Sequence, residues 1–84
     1  MKVRTATTAD PELLKVYVTC GPWDYAIGGG GYSEDARDRM IGSYPADWDG
    51  EPVEHGTINP PAWAVEWDQG NGMRHAYVVC VQVE

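Results

Sequence analysis

The sequence predicts an α+β fold: a small antiparallel sheet of three or four strands with a C-terminal β-hairpin, one short helix and a long acidic loop. Three observations lead to this prediction. Apolar and polar residues alternate near the C-terminus, and helix-capping residues follow a run of glycines in the first half of the chain. A stretch rich in Pro, Gly and Asp separates the predicted helix from the alternating C-terminal segments. With 84 residues the chain has room for one hydrophobic core, so we expect residues 1–84 to form a single domain.

The first quarter of the chain predicts one strand and a possible second. The segment LLKVYVTC, 13–20, alternates in polarity and is rich in β-branched and aromatic residues. Asp10 followed by Pro11 also fits the start of a helix, and a short turn at 9–13 leading into the strand reconciles the two signals. The opening KVRTAT, 2–7, could add an edge strand.

Four consecutive glycines, 28–31, precede the segment with helical character. A phosphate-binding P-loop requires a Lys after its last glycine, and none is near here. A dinucleotide site requires a complete βαβ unit, for which the chain lacks room. We therefore interpret the glycines as a flexible hinge or as a place of close backbone packing.

The segment SEDARDRMIGSY, 33–44, predicts the short helix. Ser33 can cap the free amides of a first turn, and Asp35 and Arg39 have the i,i+4 spacing of a helical ion pair. Apolar residues fall on one side of this helix, which leaves the acidic side chains, Asp38 among them, toward solvent. The segment 45–61 that follows is full of Pro, Gly and Asp, and predicts an irregular surface loop.

The end of the chain predicts the hairpin. AWAVEWD, 62–68, places Trp63 and Trp67 on one face of a strand, and MRHAYVVCVQVE, 73–84, is rich in β-branched and aromatic residues. Between them QGNG offers the glycine and asparagine that a tight reversal requires. We expect Trp63 and Trp67 in the core, with Tyr77 opposite them.

The sequence contains no recognisable catalytic or metal-binding motif. His55 and His75 stand outside every common zinc spacing, and Cys20 and Cys80 are predicted to be free thiols, although a disulfide would be possible if their strands were neighbours. We expect no enzymatic activity, no catalytic residue, no metal and no cofactor. No segment has the length of a signal peptide or a membrane span, so we expect a soluble protein of the host cell cytoplasm.

Acidic residues are concentrated in the middle of the chain. The formal net charge is −7, and the span from Asp24 to Glu54 holds eight acidic residues against two basic ones. Such a surface repels nucleic-acid phosphate and favours a basic protein surface. A second interpretation, that the charges only keep a small domain soluble, stays open.

Trp48 lies between two aspartates in the predicted loop. A tryptophan with acidic neighbours is typical of a hot spot for a surface that contains arginine, whereas the alternative folds Trp48 back over the core. The residues predicted to bind a partner are Glu34, Asp35, Asp38, Asp47, Trp48, Asp49, Glu51 and Glu54.

In size, charge and general character the chain resembles the small acidic inhibitors encoded by phages and mobile elements, including anti-CRISPR proteins. The resemblance implies a basic protein or ribonucleoprotein partner, such as a CRISPR surveillance complex, with the acidic side chains standing where phosphates would. It implies no direct nucleic-acid binding and no membrane, and a homodimer is possible. Alternatives are a self-associating structural or virion-associated domain and a small accessory enzyme subunit.

Overall fold

The computed structural model describes residues 2–82, and within that range every regular element is a β-strand. The strands are β1 (Lys2–Asp10), β2 (Lys15–Thr19), β3 (Asp24–Ser33), β4 (Met40–Ala46), β5 (Ala62–Trp67) and β6 (Arg74–Gln82). They form two three-stranded antiparallel sheets, with the strand orders β1-β6-β3 and β2-β5-β4. The predicted α+β class is therefore wrong, and the described chain is all-β.

The helix predicted at 33–44 is replaced by a turn and a strand. The capping signals are real, but they serve the turn at 34–39: the Ser33 hydroxyl accepts a hydrogen bond from the Asp35 amide at 3.2 Å, and the Asp35 carboxylate accepts one from the Arg37 amide at 2.9 Å. The six residues between β3 and β4 leave little room for a helix. Asp35 accordingly pairs with Arg37 rather than with Arg39.

The predicted C-terminal hairpin is also wrong, although both of its strands exist. β5 pairs with β2 and β4, whereas β6 pairs with β1 and β3, so the QGNG turn carries the chain from one sheet to the other. Each of the two is the central strand of its sheet, with a paired neighbour on both edges. Their strongly apolar sequences suit these central positions, which are buried more completely than the strands of an isolated hairpin would be.

The core lies between the inner faces of the two sheets. Its buried side chains come mainly from β2, β5 and β6, and are Val16, Val18, Cys20, Ala26, Val65, Trp67, Ala76, Val78 and Cys80. Trp67 is in the core as expected, Trp63 packs against the core while half-buried, and Tyr77 points to the outer face of the first sheet, where 39% of it is exposed.

A disulfide between Cys20 and Cys80 joins the two sheets through this core. The predicted free thiols are therefore wrong. Cys20 follows the last residue of β2, Cys80 lies in β6, and both point into the interface between the sheets, which brings their Cα atoms to 5.9 Å. Strand pairing within either sheet would not have revealed this proximity, because the two residues belong to different sheets.

The glycine run forms the middle of β3 and allows close packing on both of its faces. A Cβ on Gly29 would meet the Trp63 indole and would lie 2.6 Å from the Tyr77 carbonyl oxygen. A Cβ on Gly30 would lie 2.7 Å from the Tyr77 hydroxyl oxygen, which covers the outer face. The structure thus shows close backbone packing rather than a hinge, since these glycines are paired residue by residue with β6.

Reducing the disulfide is expected to lower the free energy of unfolding by about 2–4 kcal/mol, because the cross-link joins residues 60 apart and restricts the unfolded chain. Urea unfolding followed by tryptophan fluorescence, with and without reductant, measures this change. The double variant Cys20→Ala with Cys80→Ala is the control, and its unfolding midpoint should not respond to reductant. A wild-type midpoint that is equally insensitive would contradict the prediction.

The substitution Gly29→Ala is expected to lower the free energy of unfolding by about 1–3 kcal/mol, because the new methyl group has no space beside Trp63. Gly28→Ala is the matched control, since nothing lies within 4 Å of a Cβ added there. It should change the free energy by no more than about 0.5 kcal/mol. The same urea titration compares the two variants, and equal losses would show that the packing argument is wrong.

Candidate functional site

The segment after β4 folds back over the outer face of the second sheet. Ala46 forms an isolated bridge with Pro52, and Gly50 lies directly against the ring of Tyr17. In the sheet register Ala64 lies between Tyr17 and Tyr44, so Gly50 covers the same face. The result is a second small core on that face, in which Ala46, Ala62 and Ala64 are completely buried.

The first five residues of this segment, 47–51, form a turn that we name the Trp48 turn. The Asp47 carboxylate accepts hydrogen bonds from the amides of Asp49, at 2.9 Å, and Glu51, at 3.0 Å. The Asp47 backbone amide donates to the Glu51 carbonyl at 2.9 Å, and the Asp47 carbonyl accepts from Gly50 at 3.1 Å. Gly50 has a φ of +81°, a backbone conformation that side chains rarely allow. Asp47 therefore organises the turn from within.

Trp48 lies in this turn with 54% of its surface exposed. The alternative in which Trp48 folds back over the core is not what the structure shows, because Gly50 makes the contact with Tyr17 instead. A Trp side chain carries a large apolar surface, and leaving half of it in water is unfavourable unless another surface covers it.

Glu51 ties the Trp48 turn to β2 by an ion pair with Lys15. The side chain of Glu51 is 61% exposed and that of Lys15 is 32% exposed, so the pair lies at the surface. Its hydrogen bond raises the pKa of Lys15. Sequence reasoning missed Lys15, because a Lys in an alternating strand gives no sign of which distant carboxylate it meets.

Asp49, next to Trp48 in the turn, and Glu54, three residues after the end of the turn, are exposed acidic residues. Within residues 2–82 neither carboxylate forms an ion pair or a side-chain hydrogen bond. The backbone of Glu54 is held, since its carbonyl accepts from the Thr57 amide at 3.1 Å. These two carboxylates are therefore available to a partner without breaking a contact described in the fold.

The acidic residues at the start of the β3–β4 turn are paired within the chain. The Glu34 carboxylate lies 2.7 Å from Nε2 of His75, whose ring stacks on Tyr32 with centroids 4.4 Å apart. The Asp35 carboxylate accepts from the Arg37 guanidinium at 2.7 Å, and this contact lowers the pKa of Asp35. Neither carboxylate lies within the Trp48 turn.

Asp38 is buried, and the expectation that it faces solvent is wrong. Its carboxylate accepts hydrogen bonds from the Ser33 hydroxyl at 2.7 Å, the Asn71 amide at 2.9 Å and the Gly72 amide at 3.0 Å. The guanidinium of Arg74, itself fully buried, lies 3.9 Å away. Asp38 thereby joins the β3–β4 turn to the β5–β6 turn and is unavailable to a partner. A helix at this position would have placed it outside, which is why the helix prediction misplaced it.

The ionised form of Asp38 is strongly favoured by its surroundings. Burial acts to raise the pKa of this carboxyl, but the hydrogen bonds from Gly72, Ser33 and Asn71 outweigh burial and hold the pKa well below its usual range. A carboxylate that accepts several hydrogen bonds in a buried site contributes to stability only while it stays ionised.

Compared with known proteins, the chain matches no family model, no curated protein and no solved structure. Residues 2–82 contain no helix that is long and apolar enough to cross a membrane. Over the same range, no group of three or more His, Cys, Asp and Glu side chains is placed to hold a metal ion. The Trp48 turn is therefore identified as the candidate site by its geometry.

The stability of the fold is expected to decrease as the pH is lowered, because Asp38 then becomes protonated. The pKa of Asp38 is lower in the folded chain than the ordinary value of 3.8, so its contribution is complete above that value and is lost as the pH falls below it. Thermal unfolding midpoints between about pH 6 and pH 2 should decline in the wild type, and Asp38→Asn should reduce that decline. Asp49→Asn is the control and should keep the wild-type profile. A wild-type slope in Asp38→Asn would contradict the prediction.

Proposed function

We propose that the protein is a small interaction protein that binds a basic protein surface through the Trp48 turn. The observation that carries the proposal is the half-exposed Trp48 on a turn whose backbone is already fixed by Asp47. A side chain presented by an ordered turn loses little conformational freedom on binding, so more of its contact energy appears as affinity. Tryptophan is also among the residues that most often dominate binding energy.

The exposed acidic residues in the Trp48 turn and shortly after it support a basic partner. Asp49 and Glu54 are exposed and have no ion-pair partner within residues 2–82, and the Glu51 carboxylate remains largely accessible beside Lys15. Arginine side chains can stack on an indole while pairing with neighbouring carboxylates. The net charge of −7 adds a long-range attraction that speeds association with such a surface.

A basic surface of this kind is typical of proteins that bind nucleic acid. Occupation of that surface by the Trp48 turn blocks nucleic-acid binding, because acidic side chains then stand where phosphates would. The predicted partner-binding set becomes smaller. Asp38 and Asp47 stabilise turns of the fold, and Glu34 and Asp35 are already paired within the chain. The proposed central contacts are therefore Trp48, Asp49, Glu51 and Glu54.

The disulfide is relevant to the cellular location of the protein. Disulfides such as the one between Cys20 and Cys80 persist in oxidising compartments and are rare in the cytosol. The cytoplasmic location stays a prediction, as does the resemblance to anti-CRISPR inhibitors. A basic protein surface can occur on either side of a membrane, so the Trp48 turn could meet such a partner in either location.

The substitution Trp48→Ala is expected to weaken partner binding about 30-fold, the loss typical of a hot-spot tryptophan. The tagged protein is used to capture partners from a bacterial lysate at low and at high salt, and retained proteins are identified by mass spectrometry. A basic nucleic-acid-binding protein should be retained at low salt and released at high salt. Binding constants of the purified pair are then measured for the wild type and the variants.

Trp23→Ala is the matched control, because Trp23 is an exposed tryptophan outside the turn, 80% exposed in the β2–β3 connection. It should bind like the wild type. Asp49→Lys should bind more weakly and lose part of the salt dependence. Equal affinity of Trp48→Ala and the wild type, or equal losses in Trp48→Ala and Trp23→Ala, would reject the assignment of the site.

A further inference from the structure

β1 is the one long, regular and uncovered strand edge among residues 2–82. β3 is interrupted by a bulge between Ala26 and Gly28, and β4 has both a bulge after Met40 and a proline, Pro45. β2 has five residues. β1 has nine residues in unbroken register with β6, no proline and no bulge. Proteins commonly protect their sheet edges with bulges, prolines, shortness or charged side chains. β1 has no bulge or proline and is long, and its charged residues, Lys2, Arg4 and Asp10, lie toward its two ends.

The outer edge of β1 is open to solvent. Of its nine residues only Ala6 and Asp10 are partly buried, and the others are exposed. Within the described chain its strand pairing is with β6 alone, so every second residue directs its amide and carbonyl away from the sheet. Such a row of unpaired backbone groups is a template for another strand.

We propose that β1 pairs with β1 of a second copy of this chain, antiparallel, about a two-fold axis that passes between the two Ala6 residues. A two-fold axis perpendicular to the sheet places a given residue on the same face of the sheet in both copies. Residues that face each other across an antiparallel pair also share a face, so their two residue numbers must add to an even number. A sum of 12 is the register that overlaps all nine residues. Its facing pairs are Ala6 with Ala6, Thr5 with Thr7, Arg4 with Thr8, Val3 with Ala9 and Lys2 with Asp10.

This register is complementary in charge. It places Lys2 opposite Asp10 at both ends of the new strand pair, and opposite charges facing each other stabilise antiparallel strands. The Asp10 carboxylate is already fixed, because it accepts from the amides of Glu12 at 2.7 Å and Leu13 at 2.8 Å. Arg4 is drawn back toward its own chain, where it contacts Asp24 at 3.6 Å and donates to Gln82 at 3.1 Å, so facing Thr8 leaves no cation unpaired.

The distribution of charge along the chain also favours this edge. Two copies of a chain with a net charge of −7 repel each other over most of their surfaces. β1 contains Lys2, Arg4 and Asp10 as its charged residues, a net charge of +1, so repulsion is least where the two strands meet. The two copies of the first sheet then form one continuous sheet in the order β3-β6-β1-β1-β6-β3. The Trp48 turn lies on the other sheet and stays available to the proposed partner.

The test uses like charges at the facing threonines. Thr5 and Thr7 are exposed, so changes there should leave the fold intact. Sedimentation velocity of the wild type over a range of concentrations should show a monomer–dimer equilibrium. The dimer dissociation constant of the variant Thr5→Lys with Thr7→Lys should be about tenfold higher than that of the wild type, because both facing pairs then carry like charges. Thr5→Glu with Thr7→Glu should weaken the dimer in the same way.

Mixing the two double variants is the decisive step. In the proposed register every new positive side chain of one copy faces a new negative side chain of the other, so the mixture should form a mixed dimer at least as stable as the wild-type dimer. Ile58→Lys is the control for a charge added elsewhere, since Ile58 is 82% exposed outside the strands, and it should dimerise like the wild type. Circular dichroism verifies that each variant is folded.

A wild type that stays monomeric at every concentration would overturn the proposal, as would double variants that dimerise as well as the wild type. Failure of the mixture to restore a dimer would overturn the register. If the threonine variants lose their fold, Lys2→Glu replaces them, because it puts like charges opposite Asp10 at both ends. An unchanged dimer in folded Lys2→Glu would overturn the register in the same way.

Discussion

The buried guanidinium of Arg74 is the contact on which the arrangement of the two sheets depends. The chain crosses between the two sheets in four connections, β1–β2, β2–β3, β3–β4 and β5–β6, and three of these, β1–β2, β3–β4 and β5–β6, meet at Arg74. Arg74 donates to the Leu13 carbonyl in the β1–β2 connection and to the Gly72 carbonyl in the β5–β6 connection, both at 2.8 Å. Its charge lies beside Asp38, which is in the β3–β4 connection. A buried cation requires such partners, since an unpaired one would be very costly. Its position thereby holds three crossings together at one end of the molecule.

The acidic residues of this chain have two different tasks. Asp38 and Asp47 accept backbone hydrogen bonds and hold turns, in the same way as the capping carboxylates of other folds. Asp49 and Glu54 are exposed and take no part in an ion pair within residues 2–82. The total charge of −7 does not distinguish these tasks. Only the hydrogen-bond partners of each carboxylate do, and they leave the carboxylates of Asp49 and Glu54 accessible at the surface.

Close packing takes the place of a large core in this small fold. The inner face of β3 offers glycine backbone to Trp63, and the Cys20–Cys80 bond links the sheets where a larger domain would rely on more apolar side chains. β5 and β6 supply most of the buried residues because each is the central strand of its sheet. An uncovered β1 fits a chain with so small a core, because a second copy paired with β1 would add contacts without enlarging the chain.

The positions of β2, β5 and β6, and the turn at Asp10, can be predicted from the residues alone, because alternation and capping are properties of a few neighbouring residues. β3 could not be found in this way: four glycines have low strand propensity, and only contact with Trp63 and Tyr77 explains them. The helix at 33–44 was predicted from capping residues that serve turns equally well. The sequence singles out Trp48 and its acidic neighbours but leaves open whether Trp48 is exposed or folds back over the core. The burial of Asp38, the Lys15–Glu51 pair and the disulfide depend on residues brought together from distant parts of the chain. Strand pairing is a non-local property, so the tertiary arrangement decides which carboxylates hold the fold and which face outward.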